Sequence, residues 1–322
     1  KMSEKKKKIL VTATNYDKYC QSGKKILQNA NCEIVENPYG RPMTFNELSR
    51  VVGDIDGVVV GVDEWNEHIF ELAPHLKGMA RFGVGVDNIN LSDAKKYGIK
   101  VCNCPGINTN AVAEQTVGLI LSATRSIPLL NKEIRTGSWT RVMNHELCNQ
   151  TIGLLGFGAI AKSVAEKLQG FHTRILAYDK FPDKETAKKL HVEFCSFEEL
   201  LSKSDILSIH VPASNENWHL LNEDTLRKVK PGVILINTAR GTIIDEEAAL
   251  AALNSGIISL WATDVFEYEP IKPDLPAFQY DQYIATPHTS AETYENYDRT
   301  SIITAKALLD ILEGKEPVNR LV

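Results

Sequence analysis

The segment Thr151-Ile-Gly-Leu-Leu-Gly-Phe-Gly-Ala-Ile-Ala161, followed 18 residues later by Asp179, constrains this chain more than any other. An apolar run that reads as a strand passes through Gly156, Phe157 and Gly158 into a helical pattern. Gly156 suits the tight strand-to-helix turn, and Gly158 lets the backbone approach a pyrophosphate. Ala161 fills the third, small-residue position, where helix and strand pack closely. The amino end of the helix then offers N–H donors and a partial positive charge to phosphates. Asp179 ends the next apolar run, where a carboxylate can accept hydrogen bonds from a ribose diol. A glycine triplet alone is weak evidence. With both strands, the helix and the acid in place, it predicts a dinucleotide site.

The rest of the chain alternates in the same manner. Strand-like runs stand at Ile9–Ala13, Gly57–Val60, Met79–Phe82 and Lys100–Cys102, with helical patterns between them. A turn at Asn103-Cys-Pro-Gly106 precedes a long helix from about Asn108 toward Arg125. A second series starts at Thr151, with later strands at Arg174–Ala177, Ile206–His210, Val233–Ile236, Leu260–Ala262 and Tyr283–Ala285. The last helix, about Glu292–Glu313, has nothing of the second series left to cover, so it is expected to return to the first domain. The 322 residues exceed what one core usually serves. The expected fold is α/β, with two doubly wound parallel-sheet domains. Residues 104–289 form the dinucleotide domain, inserted into a discontinuous domain of residues 1–103 and 290–322.

Charge and cysteine usage narrow the setting. The 36 basic and 41 acidic residues give a net charge of −5, which offers no broad attraction to nucleic acid or anionic lipid. The run Lys5–Lys8 reads as a solvated terminus ahead of the first strand. No apolar run is long enough for a membrane span, and none follows Lys5–Lys8 as a signal peptide would require. Six scattered cysteines, with only a Cys102–Cys104 spacing of note, read as free thiols in a reducing compartment. A cytoplasmic protein without a metal site is expected.

Three segments beyond strands of the second series carry the chemistry. Arg240 follows the strand that ends at Ile236, Glu267 and Glu269 lie in Asp264-Val-Phe-Glu-Tyr-Glu-Pro270, and His288 follows Pro287. In an open α/β sheet the ligand crevice lies at the carboxyl ends of the strands, so these turns can converge. A guanidinium can hold carboxylate or carbonyl oxygens in a fork. An imidazolium can give a proton to an oxygen while hydride arrives at carbon, and a neighbouring carboxylate favours its charged form and fixes its tautomer. The set suits reduction of a 2-oxo acid. On the residues alone, Glu267 and Glu269 remain alternatives.

With these segments in order, the chain resembles the D-isomer-specific 2-hydroxyacid dehydrogenases along nearly its whole length. Arg81-Phe-Gly-Val-Gly-Val-Asp-Asn88, Pro105-Gly-Ile-Asn-Thr-Asn-Ala-Val-Ala-Glu114 and Asn237-Thr-Ala-Arg-Gly241 complete the match. The resemblance implies a Rossmann NAD domain and a flavodoxin-like substrate domain. It implies Arg240 as the residue that binds and polarises substrate, His288 as acid/base and Glu269, not Glu267, as its partner. It further places Ala159 and Ile160 at the pyrophosphate, Pro212 and Thr238 along the cofactor, and Asp264 near the nicotinamide carboxamide. The Val84-Gly85 turn would hold the substrate carboxylate by its N–H groups, with Asn108 at the cleft. A homodimer through the cofactor domain is implied too. Ala159 stands where many relatives carry Arg, which removes one pyrophosphate contact. Asp179 favours NAD over NADP by repelling a 2′-phosphate, while Lys180 is expected to point into solvent.

The small-molecule partner is then a 2-oxo or 2-hydroxy acid. Arg81–Asn88 most resembles phosphoglycerate dehydrogenases, yet the turn Gly61-Val-Asp-Glu-Trp65 carries Asp63 and Glu64, which would repel a phosphate. Arg141 could offset that repulsion. The chain also stops soon after its last helix, with no room for a regulatory domain. A small acid such as hydroxypyruvate, glyoxylate or pyruvate is favoured, with 3-phosphoglycerate as the alternative. A formate-type site is disfavoured because it would carry Gln in place of Glu269. An NAD-sensing corepressor is the alternative of another class. Changing Glu267 to Gln is expected to do little.

Overall fold

The computed structural model describes residues 6–322, so Lys5 of the lysine run lies outside the described residues. The chain divides into two units, Lys1–Asn108 with Glu292–Val322, and Thr109–Ala291.

The first unit holds a five-stranded sheet of β1 (Lys7–Val11), β2 (Cys32–Glu36), β3 (Gly57–Val60), β4 (Gly78–Arg81) and β5 (Lys100–Cys102). Its order is β2-β1-β3-β4-β5 with every pair parallel. The order reverses between β1 and β3, as in flavodoxin-like sheets. Strand β3 is buried along its whole length, which is why Gly57-Val-Val-Val60 reads as a continuous apolar run. The helix Tyr294–Leu312 closes one face, with Ala305, Leu308 and Ile311 in the same core as Ile9, Val11 and Val59. Its approach is close: a Cβ on Gly23 would lie 2.5 Å from the Ser301 carbonyl oxygen. The first strand begins earlier than its apolar run. Lys7 and Lys8 pair in register with Cys32 and Glu33, and Lys8 Nζ meets Asp54 at 2.8 Å.

The second unit holds β6 (Thr151–Leu155), β7 (Arg174–Tyr178), β8 (Val192–Phe194), β9 (Ile206–Ile209), β10 (Val233–Asn237), β11 (Ile258–Thr263) and β12 (Tyr283–Ala285). The parallel order is β12-β11-β10-β9-β6-β7-β8. Helices Thr109–Thr124 and Ala159–Leu168 bury Ile120, Val164 and Ala165 against Ile152 and Leu154 on one face. Leu207, Leu235, Leu253 and Trp261 pack on the other. Ala161 is fully buried, as close helix-to-strand packing demands. Strand order reverses between β6 and β9, so a ligand crevice belongs at the carboxyl ends of those two strands.

The unit boundaries fall at 108/109 and 291/292, a few residues beyond the turn-based positions 103/104 and 289/290. Hydrogen bonding accounts for the difference. The Cys104 N–H donates to the Gly83 carbonyl at 2.9 Å, which keeps the Pro105-Gly106 turn with the first unit. Ser290 is tied to Asp264 by its N–H at 2.9 Å and stays with the second. Among the described residues no helix is long and apolar enough to cross a membrane. All six cysteines are free.

Candidate active site

At the carboxyl end of β6 the backbone of Gly156 adopts φ 97°, and a Cβ there would lie 2.7 Å from the His210 carbonyl oxygen beyond β9. Only glycine satisfies both conditions. Gly158 caps the Ala159–Leu168 helix in an extended conformation, and a Cβ on it would meet no atom within 4 Å. The open space lies ahead of the amino end of a ten-residue helix, whose first turn carries Ala159 and Ile160. Asp179 sits beside the turn. Its Oδ2 accepts from the Phe157 N–H at 2.7 Å and its Oδ1 from the Phe181 N–H at 2.8 Å. Each oxygen keeps a lone pair, so the fixed carboxylate can still take a ribose hydroxyl. This turn, helix end and carboxylate fit a dinucleotide.

Other cofactor-side residues divide. Pro212 is exposed just past β9, its carbonyl held by Asn217 Nδ2 at 2.8 Å. Lys180 is exposed, as expected, and pairs with the exposed Glu216. Thr238 is buried, and its hydroxyl faces Thr116 Oγ1 at 2.8 Å. Because Thr116 spends its own proton on the Val112 carbonyl, Thr238 is the donor in that bond. Asp264 is fully buried. It accepts from Thr286 Oγ1 at 2.5 Å, from the N–H groups of Thr289 and Ser290 at 2.9 Å each, and from Ser290 Oγ. These bonds clamp residues 286–290.

That clamp positions His288, which sits at φ 48° with its N–H on the Asp264 carbonyl at 2.8 Å. Its ring Nδ1 meets Glu269 Oε2 at 2.6 Å. A carboxylate only accepts, so Nδ1 carries the hydrogen and Nε2 is left to exchange a proton. Glu269 Oε1 accepts from the Phe266 N–H at 3.0 Å. Burial pushes the Glu269 carboxyl up; the hydrogen bond and charge of His288, the Phe266 N–H and the Arg240 charge outweigh it and hold the group below the ordinary carboxylate value. Arg240 lies in extended backbone past β10, with Nη1 on the Ala239 carbonyl at 2.8 Å. Asn237 opens the Asn237–Gly241 motif. Its buried side chain accepts from the Ala239 N–H and donates to the Arg240 carbonyl, each at 3.0 Å, and so shapes the arginine turn. Arg240, Glu269 and His288 thus share one unit, whereas Glu267 turns to His219 Nε2 at 3.1 Å.

The first unit carries the remaining candidates. Arg81 Nε donates to the Gly85 carbonyl at 2.8 Å, and Asn103 Nδ2 to the Val84 carbonyl at 2.7 Å. Both carbonyls are engaged, while among the described residues the N–H groups of Val84 and Gly85 donate to no protein acceptor. Two adjacent N–H groups without a protein acceptor are donors available to an anion. Asn108 is half-buried in the turn before Thr109. The turn after β3 departs from its reading. Trp65 is fully buried, and Asp63 is 2% exposed with Oδ1 accepting from the Met43 N–H. Burial pushes the Asp63 carboxyl up against its hydrogen bonds. Only Val62 and Glu64 of that turn are exposed, so Asp63 is withdrawn from any encounter with substrate.

Residues 117–290 match a family model described as the NAD binding domain of the D-isomer specific 2-hydroxyacid dehydrogenases. A glyoxylate reductase from Thermofilum pendens is 40% identical over 306 residues, covering 92% of this chain and 90% of that protein. A D-3-phosphoglycerate dehydrogenase from Archaeoglobus fulgidus is 36% identical over 84% of this chain, which spans 52% of that longer protein. The solved structure of D-lactate dehydrogenase from Escherichia coli superposes with a TM-score of 0.88 at 28% identity, covering 98% of this chain and 100% of that one.

Proposed function

Since the chain belongs to the D-isomer-specific 2-hydroxyacid dehydrogenases, NAD-dependent oxidoreductases acting on CH–OH donors, we propose that it reduces a small, unphosphorylated 2-oxo acid to the D-2-hydroxy acid. Glyoxylate, hydroxypyruvate and pyruvate are the favoured substrates. The observation that carries the reading is the 2.6 Å His288–Glu269 bond, with Arg240 in the same unit as the glycine turn.

The residues divide the work. The Arg240 guanidinium holds the substrate oxygens and draws charge from the carbonyl. His288 Nε2 gives its proton to that oxygen, and Glu269 steadies the imidazolium before the transfer. NAD in its reduced form supplies the hydride when bound, held at Gly156, Gly158, Ala159, Ile160 and Asp179. Val84 and Gly85 take the substrate carboxylate on their N–H groups, and Asn108 borders the substrate. The exposed part of the turn after β3 is Val62 and Glu64, an apolar residue and an acid, which favours a small neutral substituent over a phosphate. The glyoxylate reductase likeness agrees with this choice. A homodimer is part of the reading: Ile134 and Trp139 are exposed at a cavity of about 340 Å³ that Leu130 and Arg141 also line, and Met143 is exposed as well. Unpaired cysteines support a cytoplasmic setting.

The test is NADH oxidation by the purified protein with glyoxylate, hydroxypyruvate, pyruvate, phenylpyruvate and 3-phosphohydroxypyruvate. The highest kcat/KM is expected on one of the first three. A phosphorylated favourite would overturn the substrate assignment, and NADH binding without turnover on any acid would overturn the reductase.

A further inference from the structure

Glu269 is carried on a loop whose support comes from a second imidazole–carboxylate pair. Glu267 Oε1 meets His219 Nε2 at 3.1 Å, with side chains 12% and 27% exposed, so this pair is more enclosed than His288 and Glu269. The Glu267 N–H donates to Glu246 Oε1 at 2.9 Å in the first turn of the helix Glu246–Asn254. Gly241 presses the loop from the arginine turn: a Cβ there would lie 1.9 Å from the Phe266 carbonyl carbon and 2.3 Å from the Glu267 nitrogen. His219 is itself fixed, at φ 46°, with its N–H on the Thr242 carbonyl at 2.9 Å and its own carbonyl holding Asn222 Nδ2 at 3.0 Å. The Trp218 ring stacks on the imidazole at 4.6 Å. Asp245 Oδ2 stands 3.7 Å from Nδ1, so Asp245, Glu246 and Glu267 are the charged groups around this imidazole.

Two residues beyond that tether the chain must deliver Glu269 Oε2 to within 2.6 Å of His288. The carboxylate is held there by one main-chain contact, the Phe266 N–H, which belongs to the same short loop. A loop moored at Glu267 therefore sets where Glu269 can reach. We propose that His219 and Glu267 are positioning residues for the reduction: their contact fixes residues 266–269 so that Glu269 keeps His288 in its productive tautomer and orientation. Neither residue touches the reacting atoms. The inference rests on the proposed reductase activity for its kinetic consequence, and on the His288–Glu269 bond alone for its structural one.

The test uses the intact enzyme in three variants. Glu267→Ala removes the acceptor. His219→Asn removes the donor while placing at φ 46° a residue that tolerates left-handed backbone. Glu267→Gln keeps an acceptor oxygen at the same reach. A displacement of about 1 Å at a catalytic group costs up to about 100-fold. Accordingly kcat for 2-oxo acid reduction is expected to fall roughly 10- to 100-fold in the first two, with NADH affinity unchanged. The acid limb of kcat should move to higher pH, because a loosened Glu269 loses part of what holds its carboxyl down. Glu267→Gln should recover most of the loss. The readout independent of turnover is the downfield imidazole N–H resonance of the His288–Glu269 bond, assigned by its disappearance in His288→Asn. It is expected to weaken or shift in Glu267→Ala and His219→Asn. An unchanged resonance in both, or a loss of kcat that Glu267→Gln does not recover, would overturn the inference. A wild-type protein without activity on any acid would refute the reductase reading, and the resonance would still decide this one.

Discussion

At the scale of single residues, charge and hydrogen bonding set the behaviour of the Glu269–His288 pair. The Glu269 carboxyl is held below its ordinary value of 4.5, so its charge persists as pH falls past that point. A depressed carboxylate contributes stability that is complete above the unfolded value and lost as pH falls through the folded one. The acid limb of reduction in the wild type should therefore lie below the ordinary carboxylate range. Glu269→Gln keeps an acceptor and removes the charge. It should lower kcat by roughly 10- to 100-fold, at or below the lower end of the 10²–10⁴ that general acid catalysis contributes because the imidazole itself remains, and it should erase that limb. A profile of kcat against pH checks both, and an unaltered limb would remove Glu269 from the role. The three strand-end residues were legible because this chemistry demands those residue types after strands. Choosing Glu269 over Glu267 was not legible from the residues, since both occupy one turn; only the partners, His288 and His219, separate them. The burial of Asp63 and the internal bonds of Thr238 and Asp264 were not legible, for a common reason. Their partners lie 20 to 122 residues away, beyond the reach of local pattern.

At the scale of elements, the turns matter more than the strands they join. Gly241 opens the 3₁₀ turn Gly241–Ile243, and its missing Cβ leaves room for the backbone at Phe266 and Glu267. Gly241→Ala would drive a methyl group into main chain that cannot rotate away. Overpacking of this kind costs about 1–3 kcal/mol, and here the displaced segment is the one that carries Glu269. The expected outcome is a Tm lower by several degrees and a kcat reduced further than the stability loss explains, read by thermal unfolding and steady-state kinetics together. Wild-type kcat at a lowered Tm would show that the loop position does not matter to catalysis. Central strands such as β3 and β6 were legible as apolar runs because parallel strands are covered on both faces. Strands β2 and β8 were not. Each lies at the edge of its sheet, and Cys32-Glu-Ile-Val-Glu36 and Val192-Glu-Phe194 break the run with glutamates, so no continuous apolar signal marks them.

At the scale of the whole molecule, each unit has its own core and its own reversal of strand order, and the chain passes between them at 108/109 and 291/292. The return of Tyr294–Leu312 to the first core was legible because no strand of the second series remained for it to cover. The proposed homodimer comes from family likeness, and exposed apolar side chains give it a physical reason. Trp139 is 83% exposed and lines one cavity with the exposed Ile134, and Met143 is 95% exposed. Exposed apolar patches are where protein surfaces associate, which is the reason for placing the proposed interface here. In a two-fold dimer each substitution enters twice, because both copies present the same patch. Removing a central aromatic anchor costs about 2–4 kcal/mol per site, and 1.4 kcal/mol is tenfold in affinity. Trp139→Glu should therefore raise the dimer dissociation constant by roughly a thousandfold or more. Sedimentation equilibrium at micromolar protein should find the wild type dimeric and the variant monomeric, with NADH binding retained because the glycine turn and Asp179 lie on other elements. A wild type that sediments as a monomer would refute the dimer. A variant that stays dimeric would move the interface away from Trp139.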